Sequence, residues 1–594
     1  MGNHDHNNGI LLASVFRYPV KSLEGEALDD VVLTVGKGVP DDRKWAIATS
    51  RNLHKDNGDW VPCSNFERLT IRPAIANWKL ARVEEGSPVL ENNSGEVLRF
   101  DSDGLPAGPI PSPFADAIKL QRAFEGFWDH ADATLSIINL NTVEALSDAI
   151  GTPIDPLRFR ANLYVRAEPW SEFSWLGRSM WFGQLELDVI RPIDRCKATS
   201  VNPATGRADV NVPAQLARHF GHIFCGVYAR VKKAGVLQTG SYGQVGGFTN
   251  LRAVEASSLE STAPKPSTWP RVAEVVELKE EAEGIRSVYL NDPLARITLA
   301  NYQSAQHIRV HALGRVHAWR AYTVSGVFNK NTLRITVKQD QGTGSKAIHE
   351  LKVGDKLLIS GPDGQLLKPN AGHSLAFITA GIGITPAVAM LRDLVSETKP
   401  RPTRVVHVAK SRTNAALWPE VEDLSEQLPC AQASLWTTKT QDGDCFGRPE
   451  FSELAVWARK HDATVIMCGP DEFMKSVRRQ LLALQITNDR IQSEAFVSPD
   501  VDIEFKEPSK PGPYEVYFSH SNIETIWTPD QGTILDLAER HGIVAPSHCR
   551  AGQCGTCRAK IRNGSSESLI GIATDDDSML TCCSVPTSKI VIEL

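Results

Sequence analysis

Three cysteines fall within nine positions near the C-terminal end of the chain. Cys549, Cys554 and Cys557 are spaced C-x4-C-x2-C in "HCRAGQCGTCRAK" (548–560), and "TCCS" adds Cys582 and Cys583 further on. Two irons bridged by two sulfides need four thiolates, and this loop with one distant cysteine is the ligand pattern of a [2Fe–2S] cluster. Gly552 and Gly555 let the loop curl its amides toward the sulfurs. The other use of four thiolates, a zinc site, is disfavoured by the loop spacing. Such a cluster carries single electrons and does little chemistry itself, so the chain must also supply a donor and an acceptor.

The middle of the chain offers the donor. "RAYTVSG" (320–326) sets Arg320, Tyr322 and Thr323 on one strand. Twenty residues on, "GTGSKAIHEL" places Gly344 and Ser345 where a helix starts, and amides at a helix start favour an anion. In "SLAFITAGIGITPAVAMLRDL" (374–394) the apolar run 375–379 reads as a buried parallel strand. A turn with Gly381 and Gly383 follows, and Thr385 with Pro386 opens a helix, proline being at ease in a first turn. A dinucleotide phosphate can approach such a backbone closely. "VIMCGPDEFMKSV" (465–477) repeats the plan: a buried strand, then Cys468, Gly469 and Pro470, then a helix.

The elements that must position these groups are set out by composition and linkers. The chain has 594 residues, 42% apolar and 23% charged, with a net charge of −6, too long for one core and without the basic balance of a nucleic-acid or anionic-membrane partner. No apolar run approaches the roughly 20 residues of a membrane span. "MGNHDHNNGI" lacks the basic and apolar regions of a secretory signal, and His6 stands where a myristoylation signal wants Ser or Thr. Eleven cysteines, five of them crowded at the C-terminal end, do not make a secreted disulfide scaffold; a reducing, cytoplasmic setting is expected. Segments rich in Ser, Thr, Pro or charge at 255–270 and 498–513 read as linkers. The expected organisation is a β-barrel-like domain at 10–125 and a second domain at 126–253, then a linker (254–270). A small barrel (271–370), a nucleotide-binding α/β domain (371–497), a linker (498–512) and an iron–sulfur domain (513–594) complete it; the resemblance given next implies that the barrel binds flavin. Short β-rich runs between 271 and 370 suit a small antiparallel barrel. "YEVYF", the helix "GTILDLAERHG" with Thr533 at its start, and "KIVIEL" frame the cysteine loop.

These motifs resemble known families. Strand, helix and cysteine loop in that order resemble the β-grasp plant-type ferredoxin. There the last ligand sits four residues before a proline, which in "CCSVP" selects Cys582 over Cys583. "RAYT" resembles the R-x-Y-S/T motif of the ferredoxin-reductase family. The likeness implies that Arg320 binds flavin phosphate, Tyr322 packs on the isoalloxazine and Thr323 bonds its N5, with Gly344 and Ser345 as a second phosphate loop. It also implies that Cys468, Gly469 and Pro470 lie beside the nicotinamide, and that "SEAF", with Glu494 and Phe496, closes the site near the flavin. The turn "GPDGQLL" (361–367) tips FAD over FMN. Ser411 and Arg412 could meet a 2′-phosphate, so NADH and NADPH both stay open. Flavin barrel, Rossmann-like nicotinamide domain and ferredoxin in this order resemble phthalate dioxygenase reductase, in which flavin takes a hydride and releases its electrons singly to the cluster.

The N-terminal segments "FRYPVKSLEGE" (16–26), "DDRKWAI" (41–47), "DPLRFRANLYV" (155–165) and "PIDRCKATSVNPATGRAD" (192–209) resemble the MOSC family, a β-barrel with an N-terminal β-rich extension. The nearest in kind are the mitochondrial amidoxime reducing component and its ferredoxin-fused bacterial relatives. The likeness implies a molybdenum cofactor held through the thiolate of Cys196. Lys21, Ser22, Arg43, Arg160, Asn162 and Arg195 match its pterin-phosphate positions, and Asn202 with Thr205 and Gly206 shapes the loop beyond the cysteine. The chemistry is sound on its own terms: molybdenum favours a soft thiolate, a neighbouring cation stabilises that thiolate, and a phosphate wants Lys, Arg and hydroxyl donors. Two departures stand out. Ala161 replaces the proline common in R-P-N, and Ser241 replaces an acid after the retained Gly240.

The expected function is a self-contained oxidoreductase that carries electrons from NAD(P)H through flavin and [2Fe–2S] to molybdenum. Its substrates would be small N-oxygenated molecules: amidoximes, hydroxylamines or N-oxides. No external redox partner would be required. The alternative is a reductase that feeds an outside oxygenase, with the MOSC domain as a binding or docking module. A sulfur-carrier role, with a persulfide on Cys196, would call for a pyridoxal-phosphate desulfurase, and no segment of this chain reads as one.

Overall fold

The structure is a computed structural model. It describes residues 9–49, 65–84, 86–114, 118–123, 126–127, 134–220, 222–248, 269–292, 302, 304, 306–311, 319–329, 332–340, 343–363, 373–397, 399–494, 506–541, 543, 545, 552, 557–571 and 577–594. The chain forms two compact units, one of residues 1–264, 503–553 and 557–594, the other of 265–502 with 554–556.

In the first unit an eight-stranded sheet has Leu163–Arg166, Leu135–Asn139, Phe224–Lys233, Leu185–Asp194, Arg178–Phe182, Tyr242–Phe248, Ile10–Arg17 and Glu26–Leu28 as successive neighbours. Ile10–Arg17 also pairs antiparallel with Leu163–Arg166, so the sheet closes on itself. Closure leaves no open edge between those strands. Ile10–Arg17 and Glu26–Leu28 therefore share a sheet with strands beyond residue 126, and the sequence boundary at 125/126 does not divide sheets. Helix α1 (Leu140–Ile150) begins at Asn139, whose side chain accepts from the Asn141 amide, and ends at left-handed Gly151. Together with α2 (Val212–Phe220) it covers one side through Ile138, Val143, Leu146 and Leu216. The intervening residues add small sheets, Trp45–Thr49 with Ile118–Arg122, and Trp78–Glu84 with Ser87–Asn92 and Val97–Arg99. They are packed on a core of Leu23, Ile47, Ile75 and Trp78.

The second unit begins with a closed six-stranded barrel: Arg271–Ala282, Ile285–Asn291, Thr332–Lys338, Trp319–Phe328, His307–His311 and Lys356–Asp363. Helix α3 (Thr343–Glu350) follows the strand Thr332–Lys338. A parallel sheet comes next, in the order Cys445–Phe446, Ala431–Thr437, Thr403–Ala409, Leu375–Ala380, Thr464–Cys468, Ile491–Glu494. Its central strands Leu375–Ala380 and Thr464–Cys468 are buried at every residue, as strands covered on both faces must be. Helices α4 (Thr385–Val395), α5 (Trp418–Glu426), α6 (Ser452–Lys460) and α7 (Asp471–Ala483) supply that cover. Barrel and sheet are joined by Glu420 of α5, which accepts from the buried Arg334 at 2.6 and 3.0 Å and from Arg392 at 2.7 Å.

The C-terminal segment, in the first unit, orders its sheet Ile523–Trp527, Tyr514–Phe518, Ile590–Ile592, Arg558–Asn563, Ser578–Leu580. The pair Tyr514–Phe518 and Ile590–Ile592 is parallel, as in a β-grasp. Helix α8 (Ile534–Arg540) packs Ile534, Leu535, Leu537 and Ala538 onto Val516, Phe518 and Trp527.

Candidate functional sites

Cys196 is exposed at the end of the strand Leu185–Asp194, where it opens the short turn Lys197–Ser200 and accepts from the Thr199 hydroxyl through its carbonyl at 2.9 Å. A second turn, Pro156–Phe159, grips both sides of the cysteine. Arg158 donates to the Ser200 carbonyl at 3.0 Å and pairs with Asp209 at 2.6 Å. Arg195 donates to the carbonyls of Phe159 (3.3 Å) and Cys225 (2.7 Å). Arg195 is buried, and its Nη2 has no hydrogen-bond partner among the described residues. Asn202 shapes the loop as expected, accepting from the Ala204 amide at 3.0 Å and from Gly206 through its carbonyl at 2.8 Å, with Gly206 at φ +63.

Residues 18–23, 41–45 and 159–162 form one stitched cluster. Arg43 donates to the Arg160 carbonyl at 2.9 Å, Arg160 to the Leu23 carbonyl, and the Arg43 amide to the Tyr18 carbonyl at 2.7 Å. The guanidinium carbons of Arg160 and Arg43 lie 4.5 and 5.2 Å from the centre of the Tyr18 ring. Lys21 is buried and donates to the Phe127 carbonyl at 2.9 Å. Ser22 (φ +71), Arg43 (φ +51) and Arg160 (φ +52) all hold left-handed backbone, a conformation that costs non-glycine residues energy and collects at functional sites. Burial pushes the Tyr18 phenol upward, opposed by Arg160 beside it. Asn162 stands at the join of two strands. It is buried, accepting from the Ser136 amide and hydroxyl and donating to the Phe16 carbonyl, so its side chain ties strands together. Gly240 keeps the expected turn at φ +86, and the Ser241 hydroxyl donates to the Gln238 carbonyl.

Around Cys225, whose carbonyl Arg195 bonds, lies a polar core. Glu172 is fully buried and accepts from Asn139 at 3.1 Å and Thr142 at 2.9 Å; burial pushes its carboxyl up to about 7. Cys225, also buried, is pushed up to about 12 by desolvation.

The donor set at Cys196 fits a phosphate-bearing molybdenum cofactor: an exposed soft thiolate ligand, an unpartnered buried guanidinium nitrogen, and cations gathered on adjoining loops.

In the barrel, the two motif segments meet. A Cβ on Gly344 would lie 3.0 Å from Arg320 Cγ and 3.8 Å from the Tyr322 hydroxyl. Burial pushes Tyr322 up to about 12, opposed by Arg320. Ser345 is buried and accepts from the Asp340 amide at 3.1 Å. Thr323 Oγ1 is buried with no hydrogen-bond partner among the described residues, an acceptor or donor site that a flavin ring nitrogen would complete.

The parallel sheet reverses its order between Leu375–Ala380 and Thr464–Cys468, and ligands of such sheets bind at the carboxyl ends of the strands there. Both glycine turns stand at that point. A Cβ on Gly383 would lie 2.4 Å from the Cys468 carbonyl oxygen and 2.7 Å from the Gly469 nitrogen, so only glycine fits. Thr385 is buried and donates to the Ile382 carbonyl at 3.1 Å, and Gly381 has φ +53 with open space around it. Pro470 precedes α7 with extended ψ 145. Nearby His407 is fully buried against Trp418, and desolvation lowers it to about 4.

In the C-terminal segment the Cys557 and Cys582 sulfurs are 3.2 Å apart, and the Gly552 amide donates to Cys582 Sγ at 3.2 Å. Cys583 turns away, its Sγ 3.6 Å from the Leu580 carbonyl oxygen. Two converging soft sulfurs with an amide donor fit an iron–sulfur cluster. Cys549, Cys554, Gly555, Phe496, the Glu494 side chain and residues 364–367 lie outside the described residues. Arg158 and Asp209, which hold the Cys196 loop, were not singled out from the sequence; their signal is the arginine two positions before Arg160 and the acid that ends "GRAD".

Four family models match the chain. They are a MOSC domain (122–242), an oxidoreductase FAD-binding domain (275–367), an oxidoreductase NAD-binding domain (377–479) and a 2Fe-2S iron-sulfur cluster binding domain (519–587). Among curated proteins, the stachydrine N-demethylase reductase subunit Stc4 of Rhizobium meliloti is 29% identical over 294 residues, 46% of this chain and 83% of its own length. A flavohemoprotein of Pseudomonas aeruginosa is 29% identical over 255 residues, 41% of this chain and 64% of its own. The solved phthalate dioxygenase reductase shares 21% identity with a TM-score of 0.35, over 55% of this chain and 98% of that one. No described helix is long and apolar enough to cross a membrane. The chain therefore joins a MOSC domain to FAD-binding, NAD-binding and 2Fe-2S domains, and it is an NAD(P)H-dependent flavin and iron–sulfur oxidoreductase.

Proposed function

We propose that the MOSC domain is the electron outlet of this reductase, binding a molybdenum cofactor through Cys196 and reducing small N-oxygenated molecules such as amidoximes, hydroxylamines and N-oxides. The observation that carries this reading is the exposed Cys196, gripped on both sides by Arg158 and Arg195, with Arg43 and Arg160 clustered at the end of the same turn. Bound there, the cofactor would supply a metal that accepts oxygen from the substrate. Cys196 would be its protein ligand, and Lys21, Ser22, Arg43 and Arg160 would hold the pterin phosphate. Buried Arg195, the residue before Cys196, ties that strand end to the carbonyls of Cys225 and Phe159. The overall reaction balances as NAD(P)H + R–NHOH + H⁺ giving NAD(P)⁺ + R–NH₂ + H₂O, with two electrons supplied as one hydride.

The test is iron and molybdenum read from one sample of chain made in a host that synthesises molybdenum cofactor. About two irons per chain with near-stoichiometric molybdenum, the latter lost in Cys196→Ala, supports the reading. That variant should lose reduction of N-hydroxylated substrates and keep NAD(P)H-dependent reduction of cytochrome c. Full N-reduction by Cys196→Ala would refute the molybdenum route. A second reading is favoured by the name of the relative from Rhizobium meliloti, a demethylase reductase subunit: the module feeds a separate oxygenase, and the MOSC domain docks it. Full iron without molybdenum would favour that reading.

A further inference from the structure

Within the first unit, among the described residues, an ion pair links the MOSC domain to the iron–sulfur domain. Lys197, the residue after Cys196, places its ammonium 2.9 Å from Oδ1 of Asp536 in the first turn of α8, with side chains only 19% and 10% exposed. Asp536 is held for this task. Its Oδ2 accepts from the Thr533 amide at 2.9 Å, while its own amide donates to the Thr533 hydroxyl at 3.3 Å, a reciprocal cap that fixes the rotamer. The next link reaches the cluster ligands. The Leu535 amide donates to the Thr581 carbonyl at 2.9 Å, Thr581 donates to the Cys557 carbonyl through both its amide and its hydroxyl at 3.0 Å, and Cys582 follows in the chain. From Cys582 to Cys196 the path thus runs through one peptide step, one backbone hydrogen bond, one more peptide step, one ion pair and a final peptide step.

We infer that Lys197 and Asp536 form the docking contact between the iron–sulfur domain and the MOSC domain, and that it sets the route by which electrons reach the Cys196 site. The second half rests on the proposed role of Cys196. The occupant of this MOSC face is the chain's own C-terminal domain, since both belong to one compact unit and the pair is too well covered to be a chance surface contact. Two electrons cross singly per turnover, supplied by the NAD(P)H hydride and consumed with two protons as N–OH becomes N–H and water. Lys197 acts here as a positioning residue, through its contact with Asp536.

The docking is tested on the full-length chain with a zero-length carbodiimide at low ionic strength, which joins only amines and carboxylates already in contact. Peptide mapping should recover a Lys197–Asp536 link, lost in Asp536→Asn, which keeps an acceptor for the cap. Lys232 and Glu186, 2.7 Å apart on the MOSC sheet, serve as the reaction control. A map with the control joined and Lys197–Asp536 absent overturns the docking. For the route, the cluster is reduced anaerobically with NAD(P)H and its reoxidation by benzamidoxime is followed spectroscopically. Lys197→Glu, with wild-type molybdenum content, should slow reoxidation by about tenfold or more, since it sets two carboxylates against each other at a covered contact, and Lys197→Arg should restore it. A wild-type rate in Lys197→Glu overturns the role of the pair. Should the wild-type chain hold no molybdenum, the reading of Cys196 fails, and the cross-link alone still decides the docking.

Discussion

Gly383→Ala isolates what the nicotinamide turn requires. The added methyl would stand 2.4 Å from the Cys468 carbonyl oxygen, 2.5 Å from the Cys468 carbonyl carbon and 2.7 Å from the Gly469 nitrogen. All three are backbone atoms, so no rotamer can relieve the clash, and the two strand ends must part by about 1 Å to reach ordinary contact. Overpacking of this kind costs about 1–3 kcal/mol. The functional cost is larger, because a misplacement of about 1 Å can slow a reaction that depends on alignment by about 100-fold. Gly381→Ala, two residues away, is the matched control. Its methyl meets nothing within 4 Å, so it carries only the left-handed backbone penalty at φ +53, about 1–2 kcal/mol. The assay is anaerobic stopped-flow reduction of the bound flavin by NAD(P)H. Flavin should be retained in both variants, with reduction slowed about 100-fold in Gly383→Ala and by less than about tenfold in Gly381→Ala. Equal rates in the two would refute the claim that contact between the turns, rather than backbone strain, makes Gly383 necessary.

Two further outcomes are expected. Cys582→Ser should abolish cluster assembly, whereas Cys583→Ser, whose sulfur faces the Leu580 carbonyl, should keep about two irons per chain; iron loss from Cys583→Ser alone would reverse the assignment. Glu172, raised by burial from 4.5 to about 7, binds its proton more tightly folded than unfolded. Its contribution is fully present below pH 4.5 and is lost as pH rises to about 7, up to about 3 kcal/mol at about 1.4 kcal/mol per pKa unit. Glu172→Gln should flatten the pH dependence of the MOSC unfolding midpoint across that window. Parallel curves for the two proteins would show that Glu172 does not titrate there.

Local pattern carried a great deal on its own. Cysteine spacing, R-x-Y-T, the two strand–glycine–helix turns and the segment around Cys196 are short-range signals, because the groups that must converge lie within a few residues of one another. The all-buried strands Leu375–Ala380 and Thr464–Cys468 were legible for the same reason, since a strand covered on both faces has to be apolar throughout. Glycine at 383 was visible as a letter, but its reason was not: the Cys468 carbonyl that excludes a methyl comes from a strand far along the chain. Asn162 is a second case. Its place in the motif suggested a cofactor donor, and only the fold reveals its contacts with Ser136 and Phe16.

Tertiary structure alone decided which residues hold Cys196, and which domain stands beside it. Arg158 and Asp209 are distant in the chain, and their pairing, with the buried polar pocket of Glu172, arises only once the strands close into a ring. Sequence placed the iron–sulfur domain at the far end of the chain from the molybdenum candidate, and composition could say no more than that linkers intervene. The Lys197–Asp536 pair comes from two ordinary charged residues with no motif to mark them. What sequence determined was the chemistry, because each cofactor needs particular atoms at close spacing. What the fold decided was the order of neighbours, because that depends on which surfaces bury one another, and no short stretch of residues records it.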